Sequence, residues 1–113
     1  MNIKKFHIYS ADLNPKIGTE PGKTRPVVVI QTDLLNNSHP STIICPVTSN
    51  TIRTATILRV HLNNKINNLT KPSDILVDQI RAIDNNRFKN LIGELTKKQI
   101  LHLMNNLTIL IFE

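Results

Sequence analysis

The apolar positions of this chain fall into short runs, separated by stretches rich in Asn, Pro and Gly. Runs of that length, bounded by turn formers, predict strands. "KKFHIYSAD" mixes apolar and polar positions and reads as a first strand. "RPVVVIQT" is a branched apolar strand, and Pro26 suits its first position, where no ladder N–H is needed. "STIICPVTS" and the alternating "TATILRVHL" read as further strands, and "SDILVDQIRAI", after a proline, as a strand that can bend. "DLLNNSHPS" is a turn or one helical turn. The Asn-rich "HLNNKINNLTKP" and "DNNRFKN" read as loops, because Asn bonds its own backbone and tolerates left-handed conformations. "NRFKNLIGEL" fits either a short strand or a helical turn. "TKKQILHLMNNL" predicts a helix: Thr96 and Gln99 have capping-box spacing, and Ile100, Leu103, Met104 and Leu107 share one face. The tail "TILIFE" continues that helix or forms a strand.

Short strands, turn signals and one terminal helix suggest a mainly β fold: a small, curled β-barrel with short helices and a C-terminal α-helix. The 113 residues suit one domain, 1–113, with no internal repeat. Without Trp and with few aromatics, the core has to come from Ile, Leu and Val.

Charge widens the picture without choosing a partner. A net charge of +6 is compatible with nucleic acid, an anionic membrane or an acidic protein, but the cations are dispersed and form no basic tail. Cys45 is the only cysteine, so no intrachain disulfide forms and a reducing cytosol is expected; its strand setting reads as a buried, inert thiol. The N-terminal stretch lacks the apolar segment of a signal peptide, and "LTILIF" is too short to span a bilayer.

The candidate chemistry is sparse. His7, His39, His61 and His102 have no metal-ligand spacing, and no phosphate loop or nucleophile elbow appears, so no metal or cofactor is expected. Two polar sites stand out. Arg25, with Lys23 and Thr24, closes the long loop "NPKIGTEPGKT" at the mouth of a strand; its planar, permanently charged fork suits a phosphate. Thr48 and Ser49, in "PVTSN", end another strand and offer hydroxyl donors. If those strands are neighbours, Arg25 and Thr48 meet on one rim. "VDQIRAID" adds Asp78, Gln79 and Arg81; a carboxylate inside an apolar strand needs a partner, such as a salt bridge or loop amides.

"GTEPGKTRPVVVIQTDLLN", "TIICPVTS" and "ILVDQIRAID", in this order and spacing, resemble the MazF/PemK (Kid) toxins of type II toxin–antitoxin systems. The resemblance covers nearly the whole chain. It implies an SH3-like small β-barrel, a cytoplasmic homodimer, and a ribosome-independent mRNA interferase that cuts single-stranded RNA. The implied reaction is metal-independent: the ribose 2′-OH attacks the adjacent phosphorus, leaving a 2′,3′-cyclic phosphate and a 5′-OH. By resemblance the catalytic pair falls on Arg25 and Thr48. In a second branch an Asp is catalytic at the position of Asp78, with an Arg two residues earlier; Leu76 stands there here, which favours Arg25 and Thr48 and leaves Asp78 a catalytic or substrate-positioning candidate. RNA contacts are implied for Lys16, Glu20, Lys23, Thr24, Ser49, Asn50, Arg53, Gln79 and Arg81. Phe6, Tyr9 and Phe88 are better suited to core packing than to stacking bases. The implied inhibitor is an acidic MazE-like antitoxin. Two alternatives share the fold: a non-catalytic RNA-binding barrel, and a toxin acting on DNA gyrase. The latter branch depends on a C-terminal Trp that this chain lacks.

Overall fold

The computed structural model describes residues 1–20 and 22–113; Pro21, read above as part of the long loop, lies outside them. Among the described residues seven strands and one α-helix are formed: β1 His7–Asp12, β2 Thr24–Val29, β3 Ser41–Thr48, β4 Arg59–Leu62, β5 Ser73–Leu76, β6 Arg81–Asp84, β7 Phe88–Glu94 and α1 Lys97–Phe112. All pairings are antiparallel, in the order β4-β5-β3-β2-β1-β7, with β6 also on β3. β3 is the hub. One of its edges takes β2; the other takes β6 along its first half and β5 along its last two residues.

The run "VVV" does not alternate because the middle of the sheet is covered on both faces. Val28 packs with Ile8, Cys45, Val47, Val60, Ile75 and Leu103 on one side. Val27 and Val29 pack with Tyr9, Leu13, Ile44 and Ile83 on the other. Cys45 lies fully in the first cluster, and burial, then the charge of Asp78, pushes its thiol up to about 12, as an inert core cysteine requires.

The mainly β fold and terminal helix expected from the pattern are present, with corrections of detail. The sheet does not close into a barrel: its pairings run from β4 to β7 without joining those ends. β4 is only four residues long, and its flank meets α1. The segment "SDILVDQIRAI" is split into β5 and β6 by a turn in which the Gln79 amide donates to the Leu76 carbonyl at 3.1 Å. "TATILRVHL" keeps strand geometry only over its last four residues. "NRFKNLIGEL" proves to be both of its alternatives, a 3₁₀ turn at Asn85–Arg87 followed by β7. The Asn-rich loops use the predicted freedom, with Asn37 and Asn68 at φ 72° and 60°.

The capping box of α1 is formed: the Gln99 amide donates to Thr96 Oγ1 at 3.2 Å, and the Thr96 amide to Gln99 Oε1 at 2.9 Å. The "TILIF" tail continues the helix. Its buried face, however, holds Ile100, Leu103, Asn106 and Leu107, while Met104 is 48% exposed. An apolar periodicity misses Asn106 because the residue is polar. Its amide donates to the Thr56 carbonyl at 3.0 Å, so burying it leaves no donor unpaired there.

Behind α1, Asn67 is fully buried and donates to the Glu94 carbonyl at 2.9 Å and to Gln99 Oε1 at 2.8 Å. This presses the loop backbone onto β7, where a Cβ on Gly93 would stand 2.5 Å from the Asn67 carbonyl oxygen. Gly93→Ala should therefore destabilise the fold by about 1–3 kcal/mol, and Leu103→Ala by about 2–5 kcal/mol. Urea midpoints, read with an unchanged slope, check both.

Candidate active site

The β1–β2 loop folds back on itself before entering β2. The Leu13 amide donates to the Lys23 carbonyl at 2.8 Å, and the Lys23 amide to Asn14 Oδ1 at 2.7 Å. Gly22 passes so close that a Cβ there would lie 2.7 Å from Lys16 Cβ. Lys23 holds a left-handed φ of 66°, a conformation costing a side-chain-bearing residue roughly 1–2 kcal/mol and kept here by the two loop hydrogen bonds. The same loop aims Arg25. Its Nε donates to the Gly22 carbonyl at 2.9 Å, which fixes the guanidinium plane. Asn14, Lys16, Gly22, Lys23 and Arg25 line one open cavity of about 350 Å³. Burial lowers the Arg25 pKa from its ordinary value, and a guanidinium remains charged at neutral pH after such a shift.

Thr48 stands on the neighbouring strand. The β2–β3 register pairs Val27 with Pro46; continued two residues further, it sets Arg25 against Thr48, on the same face of the sheet. Thr48 Oγ1 accepts from the Asn50 amide at 3.1 Å, so its hydroxyl hydrogen stays available to donate. Ser49 and Asn50 follow on the exposed rim.

The other sequence candidates are dispersed around this rim. Thr24 is exposed at the start of β2. Asp78 and Gln79 share a separate cavity of about 320 Å³ with Thr19, Ile52, Leu58 and Arg59. Asp78 is exposed, in the turn after β5, and not a carboxylate within an apolar strand. The strand ends at Leu76, so Asp78 faces water and needs no buried partner. Glu20 and Arg81 face each other at 3.7 Å, too far for a hydrogen bond, and Arg81 Nη1 is buried with no hydrogen-bond partner among the described residues. That contact ties the loop to β6.

The buried carboxylate is Asp74, which sequence reasoning missed. It is 0% exposed and directly opposite Thr48 in the β3–β5 register. Its Oδ2 accepts from the Ile52 amide at 2.8 Å and from Arg59 Nη1 at 3.1 Å; its Oδ1 lies 2.6 Å from His61 Nδ1 and 3.9 Å from Arg53 Nη1. The signal available was the alternation in "PSDILV" against "RVHL", which sets Asp74 beside His61 once those strands pair. Burial pushes the Asp74 carboxyl up, but the His61 hydrogen bond, the Ile52 amide and Arg59 outweigh it, and the net shift is downward.

A family model described as PemK-like, MazF-like toxin of type II toxin–antitoxin system matches residues 4–111. The chain belongs to this family. It is 35% identical to the endoribonuclease MazF of Staphylococcus epidermidis, over 95% of this chain and 89% of that one. It is 36% identical to the endoribonuclease EndoA of Bacillus subtilis, over 84% and 82%. Among solved structures, MazF from Deinococcus radiodurans superposes with a TM-score of 0.85 at 21% identity, covering 100% of this chain and 99% of that one. MazF in a MazE–MazF complex from the same organism gives 0.77 at 20% identity, over 97% and 96%. The fold of the family is thus retained from the first strand to the terminal helix.

Because the folded Asp74 carboxyl releases its proton at lower pH than the unfolded one, its contribution is complete above the unfolded value and lost as pH falls through the folded value. Asp74→Asn should cost about 3–5 kcal/mol at neutral pH. The gap to the native chain should narrow in acid, and urea unfolding at about pH 7 and about pH 3 measures both.

Proposed function

We propose that this chain is an endoribonuclease toxin that cuts single-stranded RNA and is silenced by an acidic antitoxin. The observation that carries this reading is the cavity at the mouth of β2, where Lys16, Lys23 and Arg25 converge, with Thr48 at the end of the neighbouring strand. The relatives named endoribonuclease, at about 35% identity over most of the chain, support it.

In this reading the scissile phosphate sits between the Arg25 guanidinium and the Thr48 hydroxyl. The nucleophile is the substrate's own 2′-OH: its oxygen bonds to phosphorus, the bond to the 5′-oxygen breaks, one proton leaves the 2′-oxygen and one is gained by the 5′-oxygen. The products are a 2′,3′-cyclic phosphate and a 5′-OH. The protein supplies position and charge. Arg25, held by Gly22, meets the negative charge that grows on the phosphorane oxygens, and Thr48 donates to the same oxygens. Lys16 and Lys23 hold flanking phosphate, while Ser49, Asn50 and Gln79 on the rims read base edges.

An acidic peptide that folds on binding would block this basic rim. Exposed Ile52 and Leu58 line the Asp78 cavity and offer apolar anchors for it. Solved relatives include a MazE–MazF complex and a mycobacterial endoribonuclease with its cognate antitoxin. The chain would work as a cytoplasmic homodimer; among the described residues no helix is long and apolar enough to cross a membrane.

Incubation of a long single-stranded RNA in EDTA should give discrete fragments ending in cyclic phosphate, with matching DNA uncut for want of a 2′-OH. Arg25→Ala should lower the cleavage rate by roughly 10²–10³-fold while leaving the urea midpoint nearly unchanged. Cleavage equal to that of the native chain would remove Arg25 from the chemistry.

A further inference from the structure

The polar row that begins at Arg25 and Thr48 does not stop there. Thr48 lies opposite Asp74 in the β3–β5 register, and Asp74 lies opposite His61 in the β5–β4 register. Directly opposed residues of antiparallel strands point to the same side of the sheet. Their neighbours Val47, Ile75 and Val60 all enter the core on the other side. Thr48, Asp74 and His61 therefore form one transverse row on one face, and the β2–β3 register, extended two residues beyond Val27 and Pro46, leads from it toward Arg25. Strands are spaced about 4.7–4.9 Å apart, which puts the His61 backbone roughly 10 Å from that of Thr48. This is beyond the phosphate gripped by Thr48 and within reach of a neighbouring nucleotide.

His61 is built to present one nitrogen outward. Asp74, fully buried, engages Nδ1 at 2.6 Å and so fixes the proton there. Nε2 has no hydrogen-bond partner among the described residues, and the side chain is 28% exposed. It opens on a cavity of about 290 Å³ whose lining includes Arg53, Asn63 and Asn64. Arg53 is 51% exposed and reaches Asp74 only at 3.9 Å, so most of its donors face solvent. Arg59, by contrast, is committed to Asp74 and to the Asn50 carbonyl at 3.0 Å. With two guanidiniums facing one carboxylate, the cluster stays positive before His61 is counted. None of this is needed to hold the phosphate between Arg25 and Thr48.

We propose that His61, oriented by Asp74, and Arg53 form a second RNA subsite that holds the sugar–phosphate backbone of a nucleotide flanking the cleaved bond. This rests on the ribonuclease reading above. Nε2 accepts from a ribose 2′-OH when the ring is neutral and donates to a phosphate oxygen when it is charged; Arg53 donates to phosphate. Asp74 is the positioning residue: it touches no RNA, sets the imidazole tautomer, and through the Ile52 amide holds the start of the β3–β4 loop.

The test uses the intact chain and a nested set of RNAs built around one mapped cleavage site, shortened stepwise from either end. Native chain, His61→Gln and Arg53→Ala are compared, with kcat and KM read separately and urea midpoints as a fold control. Gln can still donate to Asp74, and Arg53 is exposed, so Arg53→Ala serves if His61→Gln fails to fold. On the longer RNAs both variants should raise KM by roughly tenfold, as for one charge-assisted hydrogen bond, with kcat unchanged. On RNAs cut back past the flanking nucleotide, native chain and variants should coincide. A defect equal at every length, or none at any length, would overturn the subsite while leaving the ribonuclease reading in place. If the native chain cut none of the RNAs, both readings would fall together.

Discussion

The antiparallel register of β3 is the constraint on which the rest of the molecule depends. β3 bonds to β2 on one edge and to β5 and β6 on the other, so it fixes which residues of four strands share a row and a face. A slip of one residue would send Thr48 into the core and Val47 out of it. Such a slip is resisted by Val47, Cys45 and Val28, all essentially without exposure, packed against Ile75 and Leu103. Hydrophobic packing on one face thus sets the polar row on the other.

That row brings several cations to one edge, and this has a cost. Like charges repel, and a guanidinium beside the sheet loses water. Two devices offset it. The first is the backbone carbonyl of Gly22, which takes Arg25 Nε and leaves its remaining donors for a ligand. The second is Asp74, which gathers Arg59, Arg53, His61 and the Ile52 amide around one buried carboxylate. The loop carrying Lys16 and Lys23 is tied in a similar way, by Asn14 within the loop and by Glu20 facing Arg81 on β6. Local strain at Lys23 and close backbone passage at Gly22 accompany that fold-back, so the loop proposed to meet RNA is shaped by its own backbone contacts.

Much of this was legible in the residues. The strand blocks, the capping box at Thr96 and Gln99 and the inert Cys45 follow from local chemistry, and the family from the resemblance. Helix rotation was misread at Met104 because a buried amide, Asn106, replaces an apolar contact through its bond to Thr56. The apolar run before Asp78 suggests a buried acid there, yet Asp78 is exposed. The chain turns after Leu76, and the acid that enters the sheet is Asp74.

By itself the sequence determined the short β elements, the position of the terminal helix, the basic charge and the identity of the residues at the mouth of β2, since propensity, capping and periodicity are local properties. Only the tertiary structure decided that the sheet stays open, that Glu20 meets Arg81, and that Thr48, Asp74 and His61 line up across three strands. Pairing partners and register join residues far apart in the chain. They are set by which faces can be buried together, a choice that no single segment carries.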